Sequence, residues 1–428
     1  MIAGTLWTNL TIQLITFGTS VLTARILGPT GRGELALVLL YPQLLAGIAL
    51  LGVDRAVAVL AGRGELARPV TTIVKLALLL SIPAMAAGYA TVSWRMADAH
   101  LAGLATIYLA YVPPVYFFTL AIFLFNGTGD FARFNRVRMG FYFVNFALLL
   151  VIWASAPTTS LDWVVLANLA SVYGGLALAK WLLRDFKRPG GRQFASAGKG
   201  EVQAVLGLAV AFALPVTLAH LSASAYQIIL EYGLGVGPLG LFVVYFSYSR
   251  LLSPVGSAIG FHVFHLGIAG EKRDIALILR QSLLVYLVCT VPLWMIAGWL
   301  IPLVFGRDFV VNTVAVGLLL VSCLFSLSAD NMAEFLKGRQ KVGVDSGGLV
   351  VYLVTLAALS WWLVPTLGLV GMALAMTVGD MLRCGYLVNR VSRETERPIS
   401  EFWRLTRLDL ANLLRVGKGV FLVLRVWR

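Results

Sequence analysis

The stretch "TARILGPTGRGELALV", Thr23 to Val38, sets Arg25, Pro29 and three glycines between two long apolar runs. Such a segment is either a phosphate-cradling loop entering a soluble helix or a turn joining two membrane helices. A phosphate loop requires Gly-Lys followed by Ser or Thr at the helix entry. Here Gly33-Glu34-Leu35 enters an apolar run of membrane length, so the segment reads as a turn between spans. That reading leaves open why Arg25 stands so close to the apolar helix before it.

Working outward, 428 residues at 59% hydrophobic and 13% charged carry too few polar groups to cover a soluble surface of that size, which makes the chain an integral membrane protein. About 20 mostly apolar residues cross roughly 30 Å of hydrocarbon. Such windows fall near 4–24, 35–60, 70–92, 101–125, 140–157, 163–183, 204–226, 239–262, 282–304, 312–336, 347–364 and 367–389. They predict an all-α polytopic membrane protein with twelve transmembrane helices. The first window lacks a basic leader and a small-residue cleavage site, so it reads as a retained helix.

The net charge of +14 invites a nucleic-acid reading, which its distribution rejects. Arg25, Arg32, Arg95 and Arg307 follow odd-numbered spans, Arg55 and Arg250 lie within spans, and the other Lys and Arg gather around the segments after even-numbered spans, with Lys75, Lys180 and Arg383 in the adjoining ends of windows. Positive charge collects on cytoplasmic segments, so both termini are expected in the cytoplasm of a bacterial inner-membrane protein. Cys289, Cys323 and Cys384 fall inside spans without metal-site spacing and read as small core residues. His100, His220, His262 and His265 show no zinc-ligand grouping either, and the sequon at Asn9 lies within a span. No cofactor or metal is expected.

The most polar interior segment, "RDFKRPGGRQFASAGKGE" from Arg184 to Glu201, divides the spans six and six. It predicts an N-terminal lobe over 1–184, a cytoplasmic linker over 185–201, a C-terminal lobe over 202–390 and a basic amphipathic tail over 391–428. The halves match weakly at a nearly constant offset: Tyr41 with Tyr248, Gly127 with Gly338, Pro157 with Pro365. Six spans per copy makes these parallel repeats, a transporter architecture with substrate bound between halves and access alternating by rocking.

Four stretches, "ARILGPTGRGELALV" from Ala24, "LGVDRAVAV" from Leu51, "LVFGRDF" from Leu303 and "LVPTLGLVGMALAMTVGD" from Leu363, resemble the polysaccharide-synthesis flippases of the multidrug, oligosaccharidyl-lipid and polysaccharide exporter superfamily. The resemblance covers roughly residues 1 to 390. It implies a V-shaped flippase that moves undecaprenyl-pyrophosphate-linked oligosaccharide across the bacterial inner membrane for O-antigen, capsule or exopolysaccharide assembly. A polymerase or glycosyltransferases would then be partners. It also implies cavity arginines on the first, second and eighth spans, which match Arg25, Arg55 and Arg250 by position. Multidrug cation exporters of the same superfamily depend on acidic groups early in the chain, and the first span has none.

Polar residues recur helically where such a cavity would form. Thr5, Asn9, Gln13, Thr16, Ser20 and Thr23 share one stripe of the first span, at about 100° per residue. Thr217, His220, Ser224 and Gln227 repeat the device on the seventh, and Ser247, Arg250, Ser253 and Ser257 on the eighth. Any one hydroxyl can simply join helices. Three stripes together make Asn9, Gln13, His220, Gln227 and Ser253 candidate substrate contacts.

Arg250 is the sharpest residue. An in-span guanidinium keeps its proton and costs at least about 2.5 kcal/mol on insertion scales, so something compensates it. The choices are a buried ion pair with Asp54 or Asp330, or a seat for a pyrophosphate, which planar bidentate recognition suits. Arg55 follows Asp54, and adjacent residues on a helix diverge by about 100°, so these two need not pair. Arg25 falls about 200° from the polar stripe unless a break near Gly28-Pro29 re-aims it. Asp54, Asp330 and Asp380 are candidates for coupling to a proton or sodium gradient, with simple salt bridges the competing role.

Beyond Arg390 the chain is basic with scattered Leu, Phe and Trp, and is expected on the inner leaflet. Two other functions compete with flipping. A cation-coupled multidrug antiporter shares the fold, and a polyprenyl-linked glycosyltransferase or polymerase would need acidic catalytic groups that the short outer segments scarcely supply.

Overall fold

A computed structural model describes residues 2–155, 160–184, 186, 200–269, 275–339 and 341–403. The quoted turn is a break of one residue. The first helix runs Ile2–Ala49 (α1), and its backbone leaves helical geometry at Gly28, with φ 68° and ψ −175°. Glycine reaches that conformation at no steric cost, and Pro29 then suits the start of the next helical stretch.

The remaining elements follow from apolar runs of spanning length. They are α2 (Val53–Arg63), α3 (Pro69–Arg95), α4 (Ala99–Tyr108), α5 (Val112–Gly127), α6 (Phe131–Ser155) and α7 (Leu161–Arg184). After these come α8 (Glu201–Leu234), α9 (Val236–Ser249), α10 (Ser253–Ala269), α11 (Ile275–Phe305), α12 (Thr313–Gly338), α13 (Val342–Thr395) and the short α14 (Ser400–Trp403). Among the described residues, nine helices are long and apolar enough to cross a membrane. α13 joins two expected spans across Gly368, where φ is 58° and ψ −130°.

Several expected spans are interrupted. The second is broken by Leu51 and Gly52, both left-handed, before α2 begins. The fourth passes through a 3-10 turn at Leu109–Tyr111 just ahead of Pro113 and Pro114. The eighth passes through another at Arg250–Leu252, ahead of Pro254. Proline removes a backbone donor and clashes with the preceding turn, so tightening there is its expected effect.

The chain divides into two compact units, Met1–Ser247 with Ile301–Val310, and Tyr248–Leu300 with Val311–Arg428. The division does not coincide with the expected linker, because α8 packs on α1 and α2 within the first unit. Glu201, at the start of α8, accepts hydrogen bonds from Ala67 N at 3.1 Å, Arg68 N and Thr72 Oγ1 at 2.7 Å. It thereby satisfies orphan donors at the N-terminus of α3.

Among the described residues of the first unit, one apolar cluster forms around Val53, Leu76, Tyr116 and Phe125 and another around Leu35, Val38, Tyr108 and Val164. In the second, α12 packs against α10 and α13 over a cluster that includes Val263, Phe335, Leu387 and Val391. Phe402 of α14 is buried in that cluster and Trp403 lies 6.3 Å from Phe325. Trp361 and Trp362 are 83% and 72% exposed, as lipid-facing side chains of a membrane protein are. Of the linker only residues 186, 200 and 201 are described, and residues 404–428 of the tail, with Pro157, lie outside the described residues.

Candidate functional site

Within the first unit the polar stripe of α1 is largely engaged with its own helix. Thr16 Oγ1 donates to Ile12 O at 2.8 Å, and Thr23 Oγ1 donates to Thr19 O and Ser20 O. Ser20 Oγ donates instead to Ser247 Oγ at 3.1 Å, tying α1 to α9. Asn9 and Gln13 are half-buried, and the Oδ1 of Asn9 is buried without a partner among the described residues. Gln227 donates to the neighbouring Tyr226 OH at 3.0 Å.

Arg25 finds its role at the end of another helix. Its Nε donates to Val304 O at 2.7 Å and its Nη2 to Leu303 O at 2.6 Å. These carbonyls belong to the last turn of α11, where helix carbonyls lack partners and partial negative charge accumulates. The guanidinium caps that end.

Asp54 and Arg55 pair after all, with Nε 3.7 Å from Oδ2. Divergent Cβ directions are overcome by the long arginine stem, and α2 begins just before them, free of an earlier turn. Asp54 is buried, whereas the Arg55 side chain is 56% exposed and lies over the Phe123 ring at 4.8 Å. The second carboxylate oxygen of Asp54 has no hydrogen-bond partner among the described residues. His220 comes within electrostatic range of both, its ring so close to Gly47 that a Cβ there would strike it.

The second unit concentrates its charge where α12 meets both parts of α13. Arg383 Nη2 donates to Asp330 Oδ1 at 2.9 Å and to Asp345 Oδ1 at 3.1 Å. Lys337 Nζ joins Asp345 Oδ2 at 3.1 Å and Glu334 Oε1 at 2.9 Å. Ser322 Oγ donates to Asp380 Oδ2 at 2.5 Å. Arg250 lies within electrostatic range of Asp380 and Asp330. Ser253 opens α10, and its carbonyl accepts from Ser257 Oγ at 3.1 Å.

Two members of this network escape a reading of the sequence. Arg383 falls inside the last expected span yet counts naturally with the basic tail, and Asp345 precedes the eleventh window. The available signal is the Asp380–Arg383 spacing, which places opposite charges on one helical face inside an apolar run. A second pattern is clearer in space than in sequence: two of the in-span arginines stand at helix breaks, Arg55 just past left-handed Gly52 and Arg250 at the head of a 3-10 turn. Interrupted spanning helices expose backbone groups of the kind that membrane transporters use at binding sites.

No family model matches the sequence, and no curated protein matches it. Solved structures do. An inward-facing multidrug resistance MATE family transporter of the MOP superfamily superposes with TM-score 0.69 at 16% identity, covering 90% of this chain and 96% of that one. The lipid II flippase MurJ, in an inward closed conformation, gives 0.70 at 11% identity over 92% and 88%. A MOP superfamily transporter from Pyrococcus furiosus, whose reversed pocket polarity suggests a different function, gives 0.63 at 16% over 91% and 94%. The chain has the fold that these MOP superfamily transporters and the lipid II flippase share.

Proposed function

We propose that the chain is a twelve-span transporter that flips undecaprenyl-pyrophosphate-linked oligosaccharide from the cytoplasmic to the outer leaflet of a bacterial inner membrane by alternating access. The observation that carries the proposal is the placement of two in-span arginines, Arg55 and Arg250, at breaks in their helices. A fixed cation suits a doubly charged pyrophosphate, and arginine matches its oxygens bidentately. The fold likeness to a lipid II flippase agrees with a lipid-linked substrate.

Twelve spans in two parallel repeats are supported by the backbone. Gly28 and Gly235, equivalent in the aligned halves, hold nearly the same conformation, with φ 68° and 83° and ψ −175° and −173°. Gly127 approaches the α2 backbone at Ala58, and Gly338 approaches α10 at Gly267, so the second aligned pair also plays one role twice. Counting α1 and α13 as two spans each at Gly28 and Gly368, with α2 continuing the second part of α1, α4–α5 and α9–α10 as one each, and the four-residue α14 left out, gives twelve.

A second reading is a cation-coupled multidrug antiporter, favoured by the likeness to multidrug MATE transporters and by the carboxylates Asp330 and Asp380. Binding separates the two. Purified protein in nanodiscs should bind undecaprenyl pyrophosphate in preference to a lipophilic cation; the opposite preference makes it an antiporter.

A further inference from the structure

The second unit holds four carboxylates, Asp330, Glu334, Asp345 and Asp380, around three cations, Arg250, Lys337 and Arg383. Three of the carboxylates have an ion-pair partner within 4.0 Å. Asp380 is 4% exposed, and among the described residues no cationic nitrogen comes within that distance of it. Its hydrogen bond comes from a neutral donor, the hydroxyl of Ser322. The groups facing it are Arg250 from the turn before α10, Cys323 and Asp330 from α12, and Arg383 and Cys384 from its own helix. The cluster is therefore one negative charge in excess, and the excess falls on the carboxylate with the poorest compensation. A buried charge so placed is costly, and neutralisation relieves it.

We propose that Asp380 carries an exchangeable proton whose occupancy is linked to the binding of an anion at Arg250. Ionised Asp380 partly neutralises Arg250 and repels an incoming anion; protonation of Asp380 removes that opposing charge and strengthens the attraction. By linkage the effect is reciprocal, so an anion at Arg250 draws a proton onto Asp380. We take the ion to be a proton because, among the described residues, no group of three or more acidic, histidine or cysteine side chains gathers as a metal site would require. Asp330, bonded to Arg383, is a structural partner rather than the proton carrier. The linkage to the anion rests on the proposed flippase reading; the proton on Asp380 does not.

Infrared difference spectroscopy on the full chain in nanodiscs, titrated with acid, tests the proton directly. The expected result is a protonated-carboxyl band that Asp380→Asn removes, Asp330→Asn retains, and Ser322→Ala shifts by deleting its hydrogen bond. A band set that Asp380→Asn leaves unchanged overturns the proposal, as does a band insensitive to pH that responds to Na⁺ at fixed pH. The linkage is read from undecaprenyl pyrophosphate binding at two pH values. Wild-type affinity should rise by about fivefold or more at the lower pH, the size of a typical coupling, and Asp380→Asn should be flat. Equal pH dependence in wild type and variant overturns the linkage. Absence of binding at both pH values removes the flippase reading and with it the linkage, while the infrared result still decides the proton.

Discussion

Gly33 and Gly240 meet backbone to backbone within the first unit. A Cβ on Gly33 would enter Val236 O and Gly240 N, and a Cβ on Gly240 would enter Pro29 O and Gly33 N. The contact is reciprocal, each glycine approaching the backbone of the turn that carries the other. Neither turn can recede without shifting a helix start, so a methyl group at either position should cost about 1–3 kcal/mol. Thermal unfolding of purified Gly33→Ala and Gly240→Ala checks this, with Gly103→Ala as a control where nothing lies within 4 Å. Equal midpoints in all three variants and wild type would show that the crossing does not stabilise the fold.

Arg25 caps the end of α11, which gives it a measurable consequence separate from substrate. Removing two exposed charge-assisted hydrogen bonds should lower stability by about 1 kcal/mol, discounted for solvent. Arg25→Ala is therefore expected to unfold earlier while keeping wild-type affinity for undecaprenyl pyrophosphate. A loss of affinity with unchanged stability would return Arg25 to the substrate site.

Arg383 holds Asp330 and Asp345 together, and its side chain is 8% exposed. Taking it away leaves Asp330 without its cation and Asp345 with Lys337 alone. Arg383→Ala should cost about 3 kcal/mol, the low end for a broken buried pair because Asp330 is half exposed. The double variant Arg383→Ala, Asp330→Asn should recover part of that loss. Additive losses in unfolding measurements would mean that the pair does not interact.

The charge alternation predicts sidedness. Single cysteines replacing Arg133 and Lys341 should react with an impermeant reagent from the cytoplasmic side, and those replacing Arg32 and Arg307 from the other. Labelling of all four from one face would contradict twelve spans with both ends inside.

Much of this fold can be read before any coordinates. The all-helical class follows from composition and the turn at Gly28 from Gly-Pro chemistry. Interruptions are harder to read. At Leu51-Gly52 and Arg250–Leu252 the hydropathy stays high, because a broken helix that remains inside the membrane keeps its apolar side chains. The site was legible only in part. Arg250, Asp330 and Asp380 announce themselves as charges inside apolar runs, but Arg383 near the end of the last span is easily counted with the basic tail that follows, and its pairing with Asp330 depends on packing between α12 and α13. Asp54 and Arg55 defeat a wheel projection because a wheel records Cβ direction and ignores the reach of a long side chain.

The most direct test of the central claim is the flipping of a fluorescent undecaprenyl-pyrophosphate-linked oligosaccharide in proteoliposomes, comparing wild type with Arg250→Ala and Arg250→Lys at equal amounts of folded protein. A charge in a site shielded from water acts far more strongly than in bulk, and lysine keeps that charge while losing the bidentate fork. The account predicts rapid flipping by wild type, a fraction of that rate with lysine and none above empty liposomes with alanine. Flipping by Arg250→Ala at the wild-type rate would contradict it.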